Sequence, residues 1–194
     1  MQRIRAINER EQTPDSRRLI AEAEKRGAPD PRIAAVFARG NAGLAWMEFW
    51  VRLMNDGVLP HRLKEMVRIR MSVAQHCGYC SSIRTSQGRI EGLTEDIIAE
   101  TMDFENSTRL TEREKAAIRF SLRFKAAKTD EDETYDDLRK HFDELEILEL
   151  SVVCWQVDGG GKVAKLVNVV SWEEACSLNP AFRKVADTQV ELTT

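Results

Sequence analysis

The sequence predicts an all-α protein, and three observations support this. Apolar residues recur at spacings of three and four through most of the chain, which is the period of an amphipathic helix. No segment shows sustained alternation of apolar and polar residues, and no Asn-Gly hairpin occurs, so strand signals are missing. Several apolar runs follow capping sequences, such as Thr-Glu-Arg-Glu at 111–114. We expect about eight helices in one main domain.

The chain divides into three predicted parts. Residues 1–28 form a charged extension with one short helix near Ser16 to Arg26, residues 29–172 form the helical domain, and residues 173–194 form an irregular, exposed C-terminal tail. Within the domain, the patterns predict helices over Pro31–Asn55, from Pro60 towards the cysteines, from about Cys77 to Gly88 or Gly92, and after Thr94, Thr111, Thr129 and Asp143.

The last of these helices is apolar on nearly every side, which indicates burial in the domain or at a subunit interface. Its sequence Gly159-Gly-Gly-Lys162 is not a Walker phosphate loop, because Val163 stands where that loop requires Ser or Thr. We interpret the glycines as a break between two helices or as a place where another helix packs closely. The apolar helices exceed what one small bundle can cover, so we expect a homo-oligomer.

Composition and charge exclude several classes of function. With 42% hydrophobic and 31% charged residues, the 194-residue chain is typical of a soluble globular protein. A net charge of −3 gives no reason to expect nucleic acid or an anionic membrane as a partner. The chain has no run of 18 apolar residues, and its N-terminus has no apolar signal region, so we expect a cytoplasmic location. Four cysteines are too few for a secreted disulfide scaffold, so a close pair indicates catalysis or metal binding.

That close pair is Cys77 and Cys80, within the sequence His-Cys-Gly-Tyr-Cys. At a helix N-terminus, free N–H groups and the helix dipole favour a thiolate. The two-residue spacing also allows a disulfide that exchanges two electrons with another dithiol. Two buried thiols remain an alternative, as does a zinc site. Zinc would need ligands from His61, His141, Cys154 or Cys176 in addition to the local residues.

The neighbours of the pair favour redox chemistry. His76, Cys80 and Arg84 are spaced four apart and would share a face if the helix began one turn early. Arg84 can stabilise a thiolate but cannot relay protons, whereas His76 can do both. Glu65, twelve residues before Cys77, could fold back as a general base. Other candidates are expected to be structural: His61 and His141 at the surface, Cys154 as an inert buried thiol, Cys176 as an unpaired tail thiol, and the tryptophans as core or interface anchors.

The stretch from Leu59 to Leu93 resembles the carboxymuconolactone decarboxylase-like superfamily, and specifically its alkylhydroperoxidase D-like branch. The family motif is a glutamate, eleven residues, Cys-x-x-Cys, three residues and a histidine. Glu65, Cys77 and Cys80 match it, whereas Arg84 replaces the final histidine. Tyr79 stands where some members have a second histidine. The resemblance extends from about residue 30 to residue 170.

This resemblance implies an all-α alkylhydroperoxidase D-like fold that assembles into dimers, trimers or hexamers. It implies a thiol-dependent antioxidant peroxidase, in which Cys80 attacks the peroxide, Cys77 resolves the product as a disulfide, and Glu65 is the base. His76 or Arg84 would replace the missing imidazole. A small-molecule peroxide and an external dithiol, lipoamide-like or a thioredoxin-type protein, are the expected partners; no cofactor or metal is expected. The alternatives are a disulfide reductase or thiol redox sensor, and a non-catalytic oligomeric binding protein with structural cysteines.

Overall fold

The computed structural model describes residues 2–178 and residue 182. Within those residues it contains eleven α-helices, two 3₁₀ helices and no strand, which confirms the all-α prediction. The 3₁₀ helices span Glu9–Glu11 and Thr101–Asn106. The α-helices are α1 (Pro14–Arg26), α2 (Pro31–Phe37), α3 (Asn41–Asn55), α4 (His61–Ala74), α5 (Gly78–Ser82), α6 (Ser86–Ile90), α7 (Glu95–Glu100), α8 (Glu112–Lys125), α9 (Asp132–Arg139), α10 (Glu144–Val167) and α11 (Trp172–Leu178).

The described residues form eleven α-helices rather than the expected eight because turns divide two of the predicted helices and α11 forms in the predicted tail. The stretch from Pro31 to Asn55 breaks after Phe37, where the chain folds back so tightly that Gly43 faces the Phe37 backbone. The stretch after Cys77 becomes the two short helices α5 and α6. The predicted caps at Thr94, Thr111 and Asp143 are confirmed by their side-chain hydrogen bonds. The start predicted at Thr129 is wrong, since α9 begins at Asp132.

Helix α10 continues through its three glycines, so the predicted break is wrong and the predicted close packing is right. A Cβ atom on Gly161 would lie 2.1 Å from Oε1 of Gln75, and one on Gly160 would lie 3.6 Å from the Trp46 ring. The outward side of the helix leaves large apolar side chains exposed, namely Leu145, Leu148, Trp155, Val163 and Leu166. Assembly through a subunit interface stays a prediction.

Helix α4 lies at the centre of the fold, and nearly all of its residues are buried. One side of α4 joins an apolar cluster with α8 and α10, and another side joins a cluster with α7 and α8. Four charged side chains, Lys64, Glu65, Arg68 and Arg70, are buried along the same helix. Since isolated charges are costly in an apolar core, these groups require partners. Lys64 pairs with Glu149 and donates to the Leu53 carbonyl at 2.7 Å.

The two ends of the described chain pack against the domain. Ile4 lies against the cluster that contains Cys77, and Leu19 of α1 is buried against α2 and α3. The prediction of an irregular, exposed tail is wrong for residues 173–178, because they are helical in α11, which buries Ala175 and Cys176. The rest of the predicted tail lies outside the described residues, apart from Phe182, which is buried. Among the described helices none has the length and apolarity needed to cross a bilayer.

We expect Gly43→Ala to destabilise the protein. Its Cβ atom would lie 1.9 Å from the Phe37 carbonyl oxygen, and this backbone atom cannot rotate away. Overpacking of this kind costs about 1–3 kcal/mol. Gly159→Ala is the matched control, because nothing lies within 4 Å of its Cβ position on α10. This control should raise the free energy of unfolding by up to ~1 kcal/mol through helix propensity. Urea titration measures both variants, and equal effects would contradict the packing argument.

Candidate active site

The cysteine pair lies where the chain leaves α4 and enters α5. After Ala74 the chain turns through His76, whose φ of 54° lies in the left-handed region. Cys77 then occupies the N-cap position of α5, and its Sγ accepts the Cys80 N–H at 3.3 Å. The two cysteines form a disulfide with their Cα atoms 5.3 Å apart. The pair can therefore hold the two electrons that the motif predicts.

The two residues between the cysteines are fixed by neighbouring backbone. A Cβ atom on Gly78 would lie 2.1 Å from the Ser171 carbonyl oxygen, so the segment before α11 packs directly on the motif. The Tyr79 hydroxyl accepts the Asp30 N–H at 2.8 Å, and burial raises the pKa of this tyrosine above its usual value. Tyr79 thus stays neutral and anchors α5 to the start of α2.

The two sulfurs differ in their access to small molecules. Cys77 is completely buried, whereas Cys80 is partly exposed to a cavity of about 60 Å³. The cavity walls are mostly apolar, with side chains from Pro29, Ile33, Phe37, Trp46, Trp50, Tyr79 and Ile83, and include the polar residues Arg68, Ser72 and Gln156. Two tryptophans expected to be core or interface anchors, Trp46 and Trp50, therefore also form the cavity. Cys80 is the sulfur of the pair that a small molecule can reach.

Glu65 is fully buried and forms an ion pair with Arg68, one turn later on α4. Nε and Nη2 of Arg68 donate to its carboxylate at 2.6 and 3.0 Å. The Thr85 N–H donates at 3.4 Å, and the Thr85 hydroxyl lies within hydrogen-bonding reach. Burial alone would raise the pKa of Glu65, but the charge and hydrogen bonds of Arg68 outweigh it and lower the pKa. Glu65 is therefore held as a carboxylate.

Arg68 connects this carboxylate to the cysteine pair. Its Nη1 donates to the Cys80 carbonyl at 2.5 Å, its Nη2 donates to the Ile83 carbonyl at 2.8 Å, and the side chain lines the Cys80 cavity. Arg68 was not among the site residues predicted from the sequence. The available signal was its position three residues after Glu65 on a mostly apolar helix, where two opposite charges can pair.

Arg84 and His76 do not share a helical face with Cys80, because α5 begins after His76 and ends before Arg84. Arg84 instead forms two hydrogen bonds with Glu95, at 2.8 and 3.0 Å, and donates to the Ser81 and Ile83 carbonyls. The His76 ring lies against Trp172, with 5.0 Å between ring centroids. Among the contacts found for Arg84, none reaches a sulfur atom.

His61 contradicts the sequence analysis, which placed it at the surface. It is only 7% exposed, and its Nδ1 lies 2.9 Å from the Met54 carbonyl oxygen. Its Nε2 lies 2.9 Å from Oγ1 of Thr85, the residue that contacts Glu65. His61 precedes Glu65 by four residues on α4, and that one-turn spacing was the signal that could have indicated it.

Residues 2–178 and 182 contain no group of three or more His, Cys, Asp or Glu side chains arranged to hold a metal. Cys154 and Cys176 are buried in two other clusters and lie apart from the pair. Burial raises the pKa of Cys154 far above its usual value, so this thiol stays protonated, as expected of an inert core residue.

Comparison with known proteins supports the family assignment. Residues 36–121, which include Glu65 and both cysteines, match the model of the Carboxymuconolactone decarboxylase family. The resemblance inferred from the motif is thereby confirmed. The uncharacterized protein YdfG of Bacillus subtilis (strain 168) is 27% identical over 103 residues, which cover 52% of this chain and 70% of YdfG.

Solved structures show that the fold is alkylhydroperoxidase D-like. An uncharacterized peroxidase-related protein from Ralstonia eutropha JMP134, with an alkylhydroperoxidase AhpD core, superposes with a TM-score of 0.74 at 20% identity, over 88% of this chain and 92% of that protein. The debrominase Bmp8 gives a TM-score of 0.74 at 16% identity, over 95% and 96% of the two chains. A variant of Bmp8 in complex with 2,3,4-tribromopyrrole gives 0.69 at 16% identity, over 97% and 98%.

We expect Glu65→Gln to lower the free energy of unfolding by about 3–5 kcal/mol at pH 7, because it leaves the buried Arg68 charge unpaired. Arg68→Met should cost a similar amount. The double variant should be more stable than the sum of the two losses predicts, which a double-mutant cycle from urea titrations measures. Additive losses would show that the pair does not couple in solution.

The same pair predicts acid sensitivity. Because folding lowers the pKa of Glu65, its contribution to stability is fully present above the unfolded value of about 4.5 and is lost as the pH falls below it. Unfolding between pH 7 and pH 3 should therefore show a shallower acid limb in the double variant than in wild type. Parallel acid limbs would contradict this assignment.

Proposed function

We propose that this protein is a thiol-dependent peroxidase, in which Cys80 reduces a small hydroperoxide and Cys77 closes the disulfide. The observation that carries the proposal is the difference between the two sulfurs: Cys80 opens onto a cavity and Cys77 is completely buried behind it. The family match and the peroxidase-related structural neighbour support the same chemistry.

The chemistry balances with the two cysteines alone. The Cys80 thiolate attacks the peroxide oxygen, the O–O bond breaks, and Cys80 becomes a sulfenic acid while an alcohol or water leaves. The Cys77 thiol then attacks the Cys80 sulfur, forming the disulfide and releasing water. An external dithiol, lipoamide-like or on a thioredoxin-type protein, reduces the disulfide by exchange.

The proposed role of Glu65 comes from the family resemblance, and that of Arg68 from its contacts. Glu65 takes the thiol proton, and Arg68, which binds Glu65 and the Cys80 carbonyl and lines the cavity, supplies positive charge that favours the thiolate. The other two predicted candidates, Arg84 and His76, position the turns on either side of α5. Arg84 fixes the turn after α5 through Glu95, and His76 fixes the turn before it through Trp172.

The size of the cavity limits the substrate. Pockets that bind drug-sized ligands measure about 300–1,000 Å³. A cavity of about 60 Å³ admits a molecule of a few heavy atoms. Hydrogen peroxide and short alkyl hydroperoxides fit this limit. Access to Cys80 does not separate the peroxidase from a protein disulfide reductase, because the reducing dithiol must reach the same pair of sulfurs.

A second candidate function is reductive dehalogenation of a small aromatic compound. The observation that favours it is the aromatic wall formed by Phe37, Trp46 and Trp50 beside Cys80, together with the debrominase neighbour. The electrons balance, since the dithiol becomes a disulfide while the carbon–halogen bond becomes a carbon–hydrogen bond and halide leaves. A bromopyrrole would first have to displace part of that wall.

Thiol titration tests the peroxidase proposal. The reduced wild type should lose two thiols with about one equivalent of hydrogen peroxide and regain them with dihydrolipoamide. Cys77→Ser should trap a sulfenic acid on Cys80, detectable with a dimedone probe, whereas Cys80→Ser should keep its remaining thiols. Survival of all four wild-type thiols would refute the peroxidase, and a bromide-release assay would then test dehalogenation. A chelator-sensitive metal, about one per chain, would instead support the structural-cysteine alternative.

We expect Trp46→Ala to change the preference for peroxide size, because this side chain forms one wall of the small cavity. The rate of thiol loss with cumene hydroperoxide should rise relative to the rate with hydrogen peroxide by roughly tenfold, the effect of a few methylene-sized steric contacts. Trp155→Ala is the matched control, since Trp155 is 59% exposed and does not line the cavity. An unchanged ratio in Trp46→Ala would mean that the peroxide reaches Cys80 by another route.

A further inference from the structure

We propose that His61 and Thr85 form a proton-exchange route that connects Glu65 to a second cavity on the other side of the site. The use of this route in catalysis rests on the function proposed above. The route itself rests on the contact of His61 with the Thr85 hydroxyl, on the contact of Thr85 with Glu65, and on the position of this second cavity.

The second cavity has a volume of about 230 Å³ and is lined by both His61 and Thr85. Its other lining residues come from α1, α3 and α6 and the adjacent turns, and include Lys25, Arg26, Ala28, Trp50, Asn55, Ser86, Gln87 and Ile90. Ala28 and Trp50 also line the Cys80 cavity, so the two cavities share a wall. A proton therefore has an exit that does not pass the peroxide.

The hydrogen bonds define the state of His61. A carbonyl oxygen only accepts, so the contact of Nδ1 with the Met54 carbonyl requires a proton on Nδ1. In the neutral imidazole Nε2 is then an acceptor, and the Thr85 hydroxyl donates to it. When Nε2 gains a proton, it donates to Thr85 Oγ1, and that hydroxyl turns to donate to Glu65. The Thr85 hydroxyl thus joins the two titratable groups.

This route provides the proton exchange that Arg84 does not provide. An arginine does not exchange protons near neutral pH, and the Arg84 guanidinium is hydrogen-bonded to Glu95. The Cys80 thiol proton passes to Glu65, from there through the Thr85 hydroxyl to Nε2 of His61, and on to water in the second cavity. A proton returns along the same groups to the leaving alkoxide, so the route ends each cycle unchanged.

Several charged groups surround His61. Glu65 and Arg68 lie on its own helix, Glu91 follows α6, and Lys25 and Arg26 come from α1. Glu65 is the one among them that shares a hydrogen-bonded neighbour, Thr85, with His61. Removal of the Glu65 charge should therefore directly change the surroundings of the His61 ring.

The first test measures the coupling by NMR of the reduced protein, which has three histidines. Neutral His61 should be the Nδ1–H tautomer by its ¹⁵N shifts, because Nδ1 faces the Met54 carbonyl. Glu65→Gln should change the ¹⁵N shifts of the His61 ring, because Thr85 contacts both groups. His141 in the same sample is the internal control and should not change. Unchanged His61 shifts, or an Nε2–H tautomer, would overturn the proposal.

The second test asks whether the reaction of Cys80 uses the route. It measures how the rate of that reaction depends on pH. His61→Ala should slow thiol loss to hydrogen peroxide at least tenfold at pH 7 and remove one ionisation from the profile. Added imidazole, which can enter through the second cavity, should restore the rate. Thr85→Ser should keep the rate and Thr85→Val should lower it, with thermal unfolding recorded to detect loss of the Thr85 cap of α6.

The two proposals fail in different ways. If wild-type thiols do not react with peroxide, the peroxidase is refuted, and alkylation of Cys80 by iodoacetamide replaces peroxide in the same set of variants. The route is then supported if His61→Ala removes one ionisation from the pH profile of alkylation and added imidazole restores the rate. If wild type reacts with peroxide but His61→Ala has the same pH profile, the route is wrong and the peroxidase stands.

Discussion

The buried ion pair between Glu65 and Arg68 is the interaction on which the rest of the site depends. Transfer of each charge into the interior costs several kcal/mol, and the pair alone does not fully offset that cost. The carbonyls of Cys80 and Ile83 and the N–H of Thr85 supply the remaining hydrogen bonds. These partners all lie between the start of α5 and the start of α6. Burial of α4 therefore requires the cysteine turn to be in place.

The arginines near the site have separate tasks because each is held by different acceptors. Arg68 is buried between the Glu65 carboxylate and the backbone of the cysteine helix, where the low dielectric strengthens its interaction with both. Arg84 occupies the position of the family histidine, yet it pairs with Glu95, which is mostly exposed to solvent. An arginine at this position therefore tethers a turn, and it does not exchange protons near neutral pH.

The cavity beside Cys80 is small because several elements pack closely around it. Gly78 allows the Ser171 backbone to approach the motif, and Gly160 and Gly161 lie against the Trp46 ring and the Gln75 side chain. A side chain at position 78 would meet the Ser171 carbonyl oxygen, whereas the neighbours of Gly160 and Gly161 are side-chain atoms. The walls close around a space of about 60 Å³, which is far below the size of an ordinary ligand pocket.

The sequence by itself determined the helical class, the helix caps at Thr94, Thr111 and Asp143, and the register of Glu65 with Cys77 and Cys80. These features depend on residues within a few turns of one another, and local hydrogen bonding and periodicity encode them. Only the tertiary structure decided burial and the contacts between elements. It buried the Glu65–Arg68 pair, placed Arg84 against Glu95 and His61 against Thr85, and showed α10 continuous through its glycines. From the sequence alone, a charged residue is expected to be solvated and a glycine is expected to break a helix. Burial and contact partners depend on the element that packs against the residue, so they are properties of the assembled fold.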